Sequence, residues 1–157
     1  MNYKPIIIVA GEPNSIFLEI FFKCIQKNNY KSPLIIIVCK KLLIKQMKHL
    51  GFKFKINQIN LDNVSFKKLN NKKINIIDVN YNFKNIFEKI SKKSNNYINE
   101  SFSIALKLIK KNKFSKFING PISKKYFLEG KSLGITEYLA KQSKKENKVV
   151  MLIFNTK

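Results

Sequence analysis

Apolar residues fall along this chain in two alternating patterns. Short apolar-rich stretches occur at Ile6–Ala10, Leu34–Cys39, Ile74–Val79, Ser115–Asn119 and Val149–Phe154, unbroken in the first, second and last of them. Each is of strand length, and continuous rather than alternating apolarity is expected of a strand covered on both faces of a parallel sheet. Between the runs, apolar residues recur at helical spacing. Ile16, Ile20, Phe21, Cys24 and Ile25 make one stripe, which predicts a helix ending near Asn28 and Asn29. Leu42, Leu43, Met47 and Leu50 make a second over Lys41–Leu50, stopped by Gly51. Ile98, Phe102, Ala105, Leu106 and Ile109 make a third over Tyr97–Asn112.

The remaining stretches are less regular. Phe52–Ile56 alternates with period two and predicts a half-buried strand. Residues 60–73 are polar and read as loop, with room for a short strand. Phe83–Lys93 predicts a helix with Ile86, Phe87 and Ile90 turned inward. Lys124–Gly130 predicts a short helical turn, and a further helix starts at Gly134-Ile135-Thr136 and runs to about Lys144. Strand and helix alternate throughout without an internal repeat. The expected fold is α/β, a three-layer sandwich with a mainly parallel sheet.

With 157 residues, 45% of them hydrophobic, the chain is long enough for one cored domain and too short for two full ones. Its formal charge of +22 raises nucleic acid as a partner. Two features argue against it. The 31 basic residues are all Lys, with none of the Arg that makes bidentate base and phosphate contacts. They are also spread over the whole length, as pairs from 40–41 to 144–145. The abundance of Lys, Ile, Asn, Phe and Tyr is what A+T-rich codons encode, so the charge is read as composition. Cys24 and Cys39 are too few for a disulfide framework. Both lie in apolar surroundings, which predicts reduced core thiols in a cytoplasmic protein. No apolar run is long enough to span a membrane, and none carries a signal peptide's cleavage pattern.

The chemistry concentrates where strands end. Gly120-Pro121 closes the 115–119 strand, because proline has no N–H to give a ladder. Loops leaving the carboxyl ends of strands are where open α/β sheets bind ligands. Ala10-Gly11-Glu12-Pro13-Asn14-Ser15 leaves the first strand in the same way. Asn14 or Ser15 is placed to cap the next helix. Glu12 reads either as a carboxylate that orients a substrate amine or hydroxyl, or as a loop carboxylate in water. Thr136, beside a glycine at a helix start, offers a hydroxyl, free N–H groups and a positive dipole end to an anion such as phosphate. Gly-x-Gly-x-x-Gly and the P-loop are both absent from the sequence, so no standard nucleotide motif stands beside Gly11. The single histidine, His49, has no metal-ligand company and reads as a surface residue at a helix C-terminus.

Gly120-Pro121-Ile122-Ser123-Lys124, followed by Gly134-Ile135-Thr136-Glu137-Tyr138-Leu139-Ala140, resembles the 4-hydroxythreonine-4-phosphate dehydrogenase family of pyridoxal phosphate biosynthesis. Gly11-Glu12-Pro13 is similar to that family's opening Gly-(Asp/Glu)-Pro loop, and Ile16 and Glu19 match positions beyond it. The resemblance implies a fold like that of isocitrate and isopropylmalate dehydrogenases, here incomplete. Residues 1–124 would make most of a first lobe and 125–157 the start of a second. It implies NAD-dependent oxidation and decarboxylation of a small phosphorylated amino acid, with a divalent metal, in a homodimer. Thr136 is the implied substrate contact, with Lys124 as an anion or cleft contact, and Gly11, Glu12, Asn119 and Gly120 as cleft loops. Ile135 stands where the family has histidine, and Asn119 where it usually has threonine. The family's metal-binding histidines and most of its NAD contacts follow the 149–154 strand. Ligands for both are therefore expected to be mostly absent from these residues, no metal ligand is assigned here, and the 157 residues alone are expected to be inactive.

Two other readings stand beside this one. The chain also reads as a non-catalytic relative that binds a small phosphorylated ligand, or as a basic nucleic-acid-binding module. Charge that reflects composition should give only weak, sequence-independent binding to duplex DNA, lost on raising salt from about 50 to about 200 mM on the scale of ordinary counterion release. Filter binding across that range checks it. Sequence-specific binding that persists at the upper salt would overturn the reading.

Overall fold

A computed structural model of the chain describes residues 3–61, 66, 69–112, 114, 116–130 and 132–150. Five parallel strands form one sheet: β1 (Ile6–Val9), β2 (Leu34–Val38), β3 (Ile56–Gln58), β4 (Ile74–Asp78) and β5 (Phe117–Asn119). Their order across the sheet is β3-β4-β2-β1-β5. Ile7, Val9, Ile35, Ile37 and Ile77 face one layer, and Ile8, Ile36, Val38, Ile74 and Ile76 face the other. In β1, β2 and β4 both faces are covered, which is why those strands are apolar at most positions, while the edge strands β3 and β5 are only partly buried.

The second layer is built on α1 (Phe17–Lys27), which buries Leu18, Phe21 and Phe22. Eight of the ten residues from Ile16 to Ile25 are apolar, so the sequence alone leaves the inward face of this helix ambiguous. The sheet selects the 18, 21 and 22 side. Ile16 is 64% exposed, and Ile20 and Cys24 are exposed as well, against the expected stripe and the expected core thiol. Cys39 is buried as expected. Glu19 in the first turn and Lys27 in the last suit the helix dipole, and Lys23 pairs with Glu19 at 2.6 Å.

Helix α2 (Lys40–His49) sends Leu42 to one layer and Leu43 to the other. Its first free N–H, on Lys40, is satisfied by Asp78 Oδ1 at 2.8 Å from the end of β4. Gly51, with φ +76, turns the chain out of it. His49 ends α2 in solvent, as the sequence predicts, with its ring edge on Phe87. The alternation at 52–56 marks a packing face more than a strand. Pairing with β4 starts only at Ile56, while Phe52 and Phe54 lay their rings against the fully buried Phe22. Burying a ring of that size contributes about 1.5–3 kcal/mol.

The first layer is carried by α3 (Asn95–Asn112), with Tyr97, Ile98, Phe102, Ala105 and Leu108 buried against the sheet. Leu106, expected inward, is only half-buried. A single π-helical turn at Lys124–Leu128 and helix α4 (Ile135–Gln142) add Phe127, Leu128, Ile135, Tyr138 and Leu139 to the same layer. Tyr138 stacks edge-on against Phe102 and Phe127, and its hydroxyl donates to Asn99 Oδ1 at 2.8 Å.

The helix expected over 83–93 does not form. Residues 83–91 are bends and turns, followed by a 3-10 turn at Lys92–Ser94. Glu88 explains the difference. Its Oε1 accepts from the N–H groups of Lys84 and Asn85 at 2.6 and 2.9 Å, and its own N–H donates to Asn14 Oδ1 at 3.1 Å. The Glu88 N–H is the one a helix would give to the Lys84 carbonyl, and it is taken by Asn14 instead. Phe87, expected inside, is 40% exposed at φ +60. Residues 69–73 make no strand. Val149 and Val150 make none either, and the rest of the 149–154 stretch, like Ser115, lies outside the described residues.

Tyr97 ties α3 to the end of β2 within one layer and gives a test of this core. Its ring is buried and its hydroxyl accepts from Cys39 N–H at 3.3 Å. Burial pushes its pKa well above the ordinary phenol value. The folded state therefore holds the phenolic proton where the unfolded chain, with pKa about 10, releases it. The associated stability is fully present below about pH 10 and falls as pH rises beyond it, by up to about 1.4 kcal/mol per pH unit. Tyr97→Phe should cost about 1 kcal/mol at neutral pH for the lost hydrogen bond. It should also lose less stability than wild type between about pH 10 and 11. Paired urea titrations at neutral pH and at about pH 11 measure the difference.

Candidate functional site

The strand order places a topological switch point at the carboxyl edge. From β1 the chain crosses to β2 on one side, while β5 joins β1 from the other. The loops leaving β1 and β5 therefore meet where open α/β sheets bind ligands. These are the Gly11 and Gly120 loops, and they are in direct contact. Gly120 N–H donates to Val9 O at 2.7 Å, and Glu12 N–H to Pro121 O at 2.8 Å. A Cβ on Gly11 would fall 2.3 Å from Pro121 O, and one on Gly120 would fall 2.1 Å from Ala10 O. Gly11 is also at φ +74, where other residues are strained. Both glycines are required by this approach. Asn119 pairs in register with Val9, and its amide donates to Gly120 O at 3.1 Å.

Glu12 is neither in water nor open to a ligand. It is 3% exposed. Ser94 Oγ donates to its Oε2 at 2.8 Å and Asn14 N–H reaches its Oε1 at 3.3 Å. The Ser94 hydroxyl also lies 3.0 Å from Ser91 O, but has one proton, and the carboxylate is the stronger acceptor. Ser15, rather than Asn14, serves the helix: its Oγ accepts from Phe17 N–H at 3.3 Å. The Asn14 amide instead bridges two distant loops. Its Nδ2 donates to Tyr81 Oη at 3.3 Å, and its Oδ1 accepts from Glu88 N–H. Burial raises the Tyr81 pKa, against a smaller lowering by the Asn14 bond. Glu88 is held below the usual carboxylate range by the backbone N–H groups of Asn85 and Lys84.

The second motif lies further along the same face of the sheet. Ser123 caps the π-helical turn, its Oγ accepting from Tyr126 N–H at 3.2 Å. Asn95 Nδ2 donates to Tyr126 O at 2.8 Å, and Lys92 pairs with Glu129 at 2.7 Å. Lys124 is exposed. In α4, Gly134 is the N-cap, Thr136 is half-buried, and Ile135 packs on the core. Glu137 Oε2 lies 3.0 Å from where a Gly134 Cβ would be, so a carboxylate already sits at this helix start. Gly11, Glu12, Asn119 and Gly120 are thus brought together. Among the described residues, the Thr136 side chain makes no hydrogen bond to either of those loops.

Sequence reasoning passed over Ser94, Tyr81 and Glu88, whose bonds to Glu12 and Asn14 span 82, 67 and 74 residues. A local motif cannot show such partners. A hollow of about 430 Å³ opens beside Tyr81, lined also by Lys41, Lys45 and Phe83. Another, about 320 Å³, lies at the amino edge around Phe21, Phe54 and Asn75 and shares no residue with the motif loops.

The metal and NAD implied by the resemblance meet, in the described residues, neither a ligand cluster nor an open turn after β1. Among them no three His, Cys, Asp or Glu side chains converge, so they form no metal site. The turn after β1, where a dinucleotide fold seats a pyrophosphate, is filled by the backbone of Gly120 and Pro121. Among the described residues, no helix is long and apolar enough to cross a membrane.

Fold and loops together define an open, parallel α/β protein whose switch point is closed by two glycine loops. The sequence pattern of pyridoxal phosphate biosynthetic protein PdxA matches residues 29–157, and the chain belongs to that family. It is 33% identical over 155 residues to the 4-hydroxythreonine-4-phosphate dehydrogenase of Wigglesworthia glossinidia brevipalpis, covering 96% of this chain and 46% of that protein. Solved structures of 4-hydroxythreonine-4-phosphate dehydrogenases share the fold. That from Burkholderia phymatum has a TM-score of 0.72 at 20% identity, over 88% of this chain and 43% of the other. That from Klebsiella pneumoniae has 0.71 at 15% identity, over 88% and 44%. The chain spans about half the length of these relatives.

Gly120→Ala tests the loop contact. Overpacking against the Ala10 carbonyl should destabilise the fold by about 1–3 kcal/mol. Urea unfolding should show a lower midpoint with an unchanged slope.

Proposed function

We propose that the chain is the N-terminal portion of an NAD-dependent 4-hydroxythreonine-4-phosphate dehydrogenase, acting in the cytoplasm as a homodimer. Residues 1–124 belong mostly to the first lobe and 125–157 begin the second. The observation that carries this reading is the contact between Gly11-Glu12-Pro13 and Gly120-Pro121. Two stretches that resemble the family, far apart in sequence, meet at the switch point. Family membership and coverage of 46% of a dehydrogenase support it.

In this reading the substrate's phosphate binds at the start of α4, displacing the exposed Glu137 carboxylate toward solvent. The Thr136 hydroxyl and the first-turn N–H groups donate to it, and Lys124 adds a positive charge. Glu12 fixes the Gly11 loop and does not touch substrate, since its side chain is buried beneath that loop and bonded within the fold. NAD supplies the hydride acceptor for the oxidation. Groups that hold it and the metal are assigned outside the described residues. Ile135 replaces the family's histidine and rests on the core, so its side chain gives the phosphate neither a donor nor a charge.

The test joins this chain to the remaining half of the family's length. In that protein Thr136→Ala should weaken substrate binding by about 1 kcal/mol, the scale of one hydrogen bond. Ile135→His should raise kcat/KM for 4-hydroxythreonine 4-phosphate, with the melting temperature followed because the histidine must leave the apolar contact. No gain in a folded variant would indicate a different phosphorylated substrate. The 157 residues alone should form no NADH. Measurable NADH from them would overturn the assignment of the cofactor groups elsewhere.

A further inference from the structure

Gln46 lies on α2 with its side chain completely buried, 0% exposed, on the helix that also buries Leu42 and Leu43. Its Nε2 donates to Pro13 O at 3.1 Å, while its Oε1 has no partner among the described protein groups. Turning the amide over would set Oε1 against the Pro13 carbonyl, two acceptors face to face, so the donating orientation is the one the surroundings select. A buried amide with one oxygen unsatisfied is a poor way to fill a helix interface, and an apolar residue of similar length would pack there at less cost. The fold keeps the amide where it meets one backbone atom of the Gly11–Ser15 loop.

That loop is held at consecutive residues from different elements. Glu12 is bonded to Ser94 and to Pro121 O, and Asn14 to Tyr81 and Glu88. These tethers come from the loops after β4 and β5 and from the turn before α3. Pro13, between them, has no N–H, and its carbonyl bonds to Gln46 from α2. We propose that Gln46 is a positioning residue. It sets the height of the Pro13 peptide, and through it the alignment of Glu12 against Pro121 and of Asn14 against Tyr81. Its effect on ligand binding rests on the function proposed above, but its effect on the loop does not.

The test uses amide hydrogen exchange of the 157-residue chain. Gln46→Met keeps the length and removes the donor. Protection of the Glu12 and Ser15 N–H groups should fall at least tenfold, while protection at Ile36 and Ile37 and the melting temperature stay unchanged. Unchanged protection at Glu12 and Ser15, or loss in step with β2, would overturn the proposal. Gln46→Glu adds a pH profile that simple packing would not produce. Its carboxyl donates to Pro13 O only while protonated, so loop protection should be present at low pH and lost as pH rises. A flat profile would count against the proposal. If neither variant folds, the wild type decides. The Gln46 side-chain amide protons should exchange as slowly as core amides, and rapid exchange would sink the assignment. Where the protein binds 4-hydroxythreonine 4-phosphate, Gln46→Met should raise its Kd. A wild type that binds none defeats the proposed substrate and leaves the exchange result to decide the role of Gln46.

Discussion

The architecture depends on one close approach. The backbones of the loops leaving β1 and β5 pass so near each other that neither Gly11 nor Gly120 has room for a methyl group. The contact fixes β5 beside β1 at its carboxyl end, directs Pro121 across the Gly11 loop and leads the chain into the π-helical turn. It also accounts for what surrounds it. With Glu12 turned under the loop, a carboxylate is buried and needs donors, and Ser94 and the Asn14 N–H provide them. Asn14 is then free of any capping role and reaches the β4 loop.

Strands β1, β2 and β4 were legible in the sequence because burial on both faces leaves few polar positions in them. Leu34–Val38 and Ile74–Asp78 were readable for that reason, Asn75 and Asp78 excepted. Each of those two polar side chains serves neighbouring backbone. Asn75 Nδ2 donates to Leu34 O and Asn70 O, and Asp78 accepts from the first N–H of α2. The motif loops were legible as well, since glycine and proline mark strand ends. What could not be read is where long-range bonds override local pattern. Residues 83–93 have helical spacing, yet Asn14, 74 residues from Glu88, takes the N–H that a helix would use. Cys24 sits in an apolar run and faces solvent, because α1 is apolar nearly all round and the sheet chose the other side. Glu12 looked like a loop carboxylate, and only the fold brings Ser94 to it.

Among the described residues, several of the few acids in this basic chain occupy structural positions. Glu19, Glu88 and Glu129 each pair with a lysine, Glu88 also gathers two backbone N–H groups, and Asp78 serves the start of α2. Exposed pairs of this kind contribute at most about 1 kcal/mol each. Their importance is geometric, because each acid fixes a loop or a helix end that packing alone leaves loose. Most lysines among the described residues face solvent, where their mutual repulsion is screened over about 8–10 Å at ordinary salt.

The pairing of β1 with β5 has a consequence in time. Val9 and Asn119 are register partners, 110 positions apart (119 minus 9). At a synthesis rate of about 5–20 residues per second, the first strand leaves the ribosome on the order of 5–20 s before its second neighbour. Meanwhile β1 can pair only with β2, and its other edge stays open. The Gly11 loop likewise waits for Pro121, and its tethers from Tyr81 and Ser94 arrive on the way. Among the five described strands the switch point is therefore the last junction to be completed during translation, and the nascent chain carries an exposed apolar strand edge until that moment.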